Sequence, residues 1–414
     1  MRFRHRDGTV VHLAYCTNVH PAEDLAGVRD QLVRYAEPIR EQLGVDRLGL
    51  GLWLAHDVAT ALDTNPADLA RLRAELVARG LEVVTLNGFP YRHFHAPVVK
   101  HGVYTPDWSQ PDRLVYTTVL ARLLTGLMPD DAARGSISTL PLGWRSWWND
   151  SRRDDAARQL AALADELADL EHRTGRTVRV GFEPEPGCVV ESTDDAVRRL
   201  AGIDTFDTSR LGICLDACHL AVGFEDPQAA LGRLAAAGLA VVKVQASCAL
   251  HAPDPAAPGA RDILGGFVEP RFLHQTRELA EPGPDNGFGG GSDVGSGSGS
   301  ERRLHARDDL PDALYGQRAL PARGPWRVHF HIPLHATPAG PVGSTRDVLD
   351  DVLANVFGGR HAVTDHVEVE TYTWTVLPER DRPTDEKSLA AGIAAELDWT
   401  RRALARHGLV EVSS

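Results

Sequence analysis

Four strand-like runs in this chain stop on polar residues that can ligate a metal or move a proton, and that coincidence constrains the fold most. The run at residues 178–182 ends on Glu183 and Glu185, each followed by proline. A second, LGICLD at 211–216, ends on Asp216 and is followed three residues later by His219. The third, VVKVQ at 241–245, carries Lys243 and Gln245, and the fourth, HVEVE at 366–370, carries Glu368 and Glu370. Strands that stop on acids and then turn are how a closed barrel of alternating strands and helices presents its chemistry at the C-terminal rim.

The rest of the chain supplies the alternation that such a barrel requires. Strand patterns at 10–16, 47–54, 81–87 and 134–140 alternate with amphipathic or Ala/Leu-rich helical patterns at 21–43, 65–80, 113–127 and 154–173. Helical spacing recurs at 194–200, 227–237 and 386–407. Strand alternating with helix throughout marks a parallel α/β fold, and eight such units favour a (β/α)₈ TIM barrel, read here as one domain over 1–414. A ninth strand-like run at 326–332 falls between strands seven and eight and must be an excursion from the barrel. It closes a long insertion at 248–325, within which residues 282–300 (PGPDNGFGGGSDVGSGSGS) are Gly/Ser-rich and predict a flexible surface loop.

Composition excludes several classes. A formal net charge of −13 with no basic cluster argues against nucleic acid or an anionic membrane surface as partner. No apolar run reaches the length of a membrane span, and the first residues lack the apolar core of a signal peptide. Five cysteines without CxxC spacing fit a reducing compartment, so a cytoplasmic protein is the expectation.

Period-two alternation phases the strand ends. Val367 and Val369 face one way, Glu368 and Glu370 the other; Lys243 and Gln245 stand together opposite Val242 and Val244. Glu183 shares parity with Gly181 and Arg179, Asp216 with Cys214 and Gly212, and His329 with His331. The apolar set must meet the helices, which sends the polar set into the barrel. Several buried polar groups are costly unless they bind something. Carboxylate, imidazole and amide donors without cysteine suit Mn²⁺, Zn²⁺, Mg²⁺, Co²⁺ or Fe²⁺ and do not choose among them. The candidate metal ligands are therefore Glu183, Asp216, Gln245, His331 and Glu370. Glu185, His219 and Lys243 are the candidate catalytic groups; which of Glu183/Glu185 and of Glu368/Glu370 meets the metal is left open. The loop after strand three adds Asn87, Tyr91, His93, His95, Lys100, His101, Tyr104 and Trp108. Of these Asn87, His93, His95 and Lys100, with His329, are the candidate substrate-binding residues for a polyol, a phosphate or a carboxylate.

These positions resemble the xylose isomerase-like TIM-barrel superfamily of sugar phosphate isomerases/epimerases and type 2 AP endonucleases. There a Glu ends strand five, D-x-x-H follows strand six, His or Gln ends strand seven and Glu ends strand eight. Here the matching residues are Glu183, Asp216 with His219, Gln245 and Glu370. More narrowly, NGFPYRHFH (87–95), VYTPDW (103–108), SISTLPLGW (136–144), FEPEPG (182–187), HFHIPLH (329–335) and VETYTWTVLP (369–378) resemble the EboE family of metabolite-traffic proteins. That resemblance implies a small-molecule ligand, operon-encoded protein partners and the same barrel. Gln245 departs from the commoner histidine, and the insertion at 248–325 departs from the simple barrel. The expected function is a metal-dependent sugar or polyol (or sugar phosphate) isomerase or epimerase. Its alternatives are a metabolite-binding protein without turnover and a phosphodiesterase whose cluster would add His93 and His95.

Overall fold

The computed structural model describes residues 1–280 and 302–412. Eight parallel strands follow the chain: β1 (Val10–Cys16), β2 (Leu48–Trp53), β3 (Leu81–Asn87), β4 (Arg134–Thr139), β5 (Thr177–Phe182), β6 (Leu211–Asp216), β7 (Val241–Ala246) and β8 (His366–Val369). Each pairs with the next, and β8 also pairs with β1 in register His366↔His12, which closes the ring into a (β/α)₈ TIM barrel. Helices such as Pro111–Leu127, Asp150–Thr174 and Glu386–Arg406 pack around it. Among the described residues no helix is long and apolar enough to cross a membrane.

The apolar sets of the strands lie in the core: Leu50 and Leu52, Val180 and Phe182, Val367 and Val369 are all buried. The interior is polar. Lys243 and Glu368 are both fully buried there and form an ion pair. Gly51 of β2 leaves the room, since a Cβ at that position would lie 1.6 Å from the Glu368 carboxylate. Toward the N-terminal ends of the strands, Arg2 and His12 meet Glu82, and Ser136 joins Thr85 to His366.

Between β7 and β8 the chain leaves the barrel and builds an antiparallel sheet of its own. Its strands are ordered Arg303–Arg307, Thr276–Ala280, Trp326–His331, Ala249–Ala252 and Gly343–Ser344. The ninth strand-like run is therefore its central strand. The Gly/Ser-rich stretch at 282–300 lies outside the described residues. Trp326–His331 pairs with Ala249–Ala252 through a register shift between Val328 and His331. A bulge re-aims side chains, and here both histidines of the strand reach the C-terminal mouth of the barrel.

Candidate active site at the barrel mouth

Local structure fixes each mouth residue before any ligand is considered. Asp216 is the N-cap of the short helix Ala217–Val222: its Oδ1 accepts from the His219 N–H at 2.8 Å and from Ser247 Oγ at 2.8 Å. The cap explains the D-x-x-H spacing, because it sets the His219 ring one turn on, over the same opening. Glu370 is gripped in the same way: its Oε1 accepts from Asn18 Nδ2 at 2.7 Å and Asn87 Nδ2 at 2.9 Å. In Asp216 the second oxygen, Oδ2, is buried without a partner, as are Glu183 Oε2, His331 Nε2 and both side-chain polar atoms of Gln245.

The histidine tautomers follow from their partners. His219 Nδ1 lies 2.9 Å from the Pro184 carbonyl and His331 Nδ1 lies 2.7 Å from the Glu370 carbonyl, so both nitrogens carry the proton and donate. Gln275 Nε2 donates to the Pro186 carbonyl at 2.9 Å, which leaves Gln275 Oε1 to accept from His329 Nδ1 at 2.8 Å. His331 therefore presents a bare Nε2, and the Nε2 atoms of His219 and His329, 3.0 Å apart, need a proton or a cation between them. Burial holds His331 down to about 4 and His329 well below the ordinary value, so both are neutral near pH 7.

The acids behave oppositely. Burial, then the nearby charges of Glu370 and Asp216, push Glu183 well above the usual carboxylate range. Burial and Asp216 lift Glu370 to about 8. Ligating atoms of Glu183, Asp216 and Glu370 lie within 4.8 Å of one another, as do those of Asp216, His219 and His331. Carboxylates that resist ionising together, a bare imidazole nitrogen and partnerless buried oxygens are a donor set that fits a divalent cation of the Mn/Zn/Mg class.

Glu185 stands apart from that cluster. Tyr104 Oη donates to its Oε1 at 2.6 Å, and Gln275 Nε2 donates to Tyr104 Oη at 2.9 Å. Burial lifts it to about 7, against the opposing pull of His219 and the Tyr104 hydrogen bond. The structure thus separates the two pairs left open by the sequence: Glu183 joins Asp216 and Glu370, and Glu185 sits beside them. Glu368 lies deeper, bound to Lys243.

Other expected residues are placed differently. Lys243 does not line the mouth: burial alone would lower its pKa, but the Glu368 carboxylate holds it above the ordinary value, so it is a locked counter-ion and not a proton shuttle. Strand parity told its face but not its depth. Asn87 lines the cavity with its amide spent on Glu370. His93 is 72% exposed, in a left-handed turn (φ 58°). Glu23 takes the N–H groups of His93 and His95, and His95 Nε2 bonds the Asn18 carbonyl at 2.8 Å, bracing the loop that holds Glu370. Neither His93 nor His95 lines the mouth cavity. Lys100 lines it but is bound to Asp309. His329 lines it, beside His219.

Residues that carried no sequence signal also shape the site. Phe94, Phe272 and Tyr372, from three different segments, pack with centroids 4.9–5.5 Å apart, Tyr372 edge-on to both phenylalanines, and line the cavity. Glu396 of the last helix is buried and accepts from Leu334 N (3.0 Å), Thr371 Oγ1 (2.6 Å) and Trp374 Nε1 (3.1 Å). It ties the segment after His331 to the segment after Glu370.

A family model described as a xylose isomerase-like TIM barrel matches residues 39–256, more than half of the chain. No curated protein matches it. Among solved structures, D-psicose 3-epimerase of Clostridium cellulolyticum with D-tagatose is 13% identical, with a TM-score of 0.46 over 95% of this chain and 99% of that one. An L-ribulose 3-epimerase is 12% identical (TM-score 0.47; 96% and 98%). The IolI protein with a zinc atom is 12% identical (TM-score 0.45; 96% and 99%). At these values the likenesses carry no argument about substrate or metal.

Proposed function

The chain belongs to the xylose isomerase-like TIM-barrel family, and we propose that it is a divalent-metal-dependent isomerase or epimerase of a sugar or polyol. One observation carries the reading: Glu183 Oε2, Asp216 Oδ2 and His331 Nε2, with the Gln245 amide below them, are buried with no partner. Glu183, Asp216, His331 and Glu370 would hold the cation, with Gln245 below them. A cation there supplies polarisation of a carbonyl or hydroxyl oxygen, which acidifies the adjacent C–H.

The chain's own groups do the rest. Glu185, poised at about 7, takes a proton as carboxylate and returns it as acid near neutral pH. Tyr104 and Gln275 fix where its oxygen points. His219 and His329, whose Nε2 atoms meet at 3.0 Å, line the cavity where substrate hydroxyls would bind. The aromatic rings lining the cavity exclude water while the proton is in transit. The same reading takes 1–414 as one domain whose excursion at 248–325, with the histidine strand after it, completes the site. The narrower proposal, membership of the EboE family, is supported by the six strings quoted above, among them HFHIPLH and VETYTWTVLP.

The test is the metal content of protein purified without added metal, beside a Glu183→Ala/Asp216→Ala double variant. The expected result is about one transition ion per chain, lost in the variant while circular dichroism is unchanged, with solvent deuterium entering a ketose α to its carbonyl. No ion bound even after loading with Mn²⁺ or Zn²⁺ would refute the proposal. An ion bound without exchange in any sugar tested points instead to a metabolite-binding protein.

A further inference from the structure

Among the described residues, Lys100 is the only lysine or arginine lining the mouth cavity. Its place is over-determined. The N–H groups of Val99 and Lys100 both donate to the Arg271 carbonyl, at 2.7 and 2.8 Å, and Lys100 itself is held at φ 40°, in the left-handed region. A strained backbone kept in place by the surrounding structure marks a position whose side chain must point one way.

That side chain is spent on a single partner. Lys100 Nζ lies 2.5 Å from Asp309 Oδ2, with the two side chains 25% and 15% exposed. Asp309 is itself fixed, since its Oδ1 accepts from His274 N at 3.1 Å and Leu310 N at 3.0 Å. The other carboxyl and imidazole side chains lining the cavity are Glu183, Glu185, Glu370, His219, His329 and His331. Among the side chains lining this mouth, a phosphate ester would meet three carboxyl groups and one cation already neutralised.

We propose that Asp309, by neutralising Lys100, makes the mouth select an uncharged substrate: a free sugar or polyol and not its phosphate ester. This rests on the sugar-isomerase reading for its meaning. Its test does not require turnover, so the two can fail separately: that reading falls on metal content, this one on phosphate affinity.

The experiment titrates inorganic phosphate into the full-length, metal-loaded protein by calorimetry. Asp309→Asn is the informative variant because asparagine keeps the size and still accepts from His274 N and Leu310 N. The expected result is that Lys100→Met leaves wild-type phosphate affinity unchanged. Asp309→Asn should raise that affinity about fivefold, the scale of a partly exposed charge pair, and the gain should vanish in Asp309→Asn/Lys100→Met. A wild-type affinity that already falls in Lys100→Met would overturn the proposal, as would Asp309→Asn binding phosphate no better than wild type.

Discussion

The lower interior of the barrel and its mouth are built from the same strands, a residue or two apart, and treat charge in opposite ways. Below, Lys243 meets Glu368 and Arg2 meets Glu82, so these carboxylates have a cationic partner, although Glu368 Oε1 is itself without one. At the mouth, Glu183, Asp216 and Glu370 face one another with no lysine or arginine among them. Burial was affordable in the first case because Coulomb attraction offsets desolvation, and no such offset exists in the second. A fold that completes one layer and leaves the next short of positive charge has a layer reserved for something it does not itself contain.

Breaking the completed layer has the largest expected effect. Lys243→Met leaves Glu368 buried without its cation and should cost about 3–5 kcal/mol in urea unfolding. A cost below about 1 kcal/mol would show that the pair is not what holds the interior together.

The incomplete layer should respond to pH with the opposite sign from a salt-bridged protein. Glu185 and Glu370, raised by burial to about 7 and about 8, and Glu396, raised by burial to about 7, stay protonated when folded at pH values where the unfolded chain has ionised. Between the ordinary carboxylate value and about pH 8 the folded state binds more protons than the unfolded, so metal-free stability should fall as pH rises, by about 3–5 kcal/mol per group at most. Added Mn²⁺ or Zn²⁺ should restore it. A metal-free protein more stable at pH 8 than at pH 5 would contradict the comparison.

Glu396→Ala strips three buried donors of their acceptor and should cost about 1–3 kcal/mol, with weaker metal binding because the segments after His331 and Glu370 lose their common tie. Chelator competition checks the second part, and Glu396→Gln should recover some of it. Smallest is His93→Ala, which touches neither layer and should stay within about 0.5 kcal/mol of wild type.

Much of this contrast was readable from residue order. Period-two phasing put Glu183, Asp216, Gln245 and Glu370 on the inner face, and the inner face is where they are. Phasing reports a face and not a height, which is why Lys243 was taken for a mouth residue although it lies one layer down. The loop residues Asn87, His93 and His95 were grouped by composition, but a loop's path depends on contacts such as Glu23 with the backbone of His93 and His95, which no local pattern announces. Gln275 just precedes the strand Thr276–Ala280, and Glu396 lies in the last helix. Their roles exist only once distant segments meet.

The closing pair of strands also sets a timetable. Asn18 and Glu370, hydrogen-bonded at the mouth, stand 352 positions apart in the chain. A ribosome delivers Glu183 and Asp216 long before the histidine strand, and the histidine strand before Glu370, while β1 waits without its second neighbour. The ring and the ligand set are finished by the same late event, the arrival of β8. Until then the acids of β5 and β6 are held at no fixed distance from Glu370, and a nascent chain has no mouth at which to discriminate one small molecule from another.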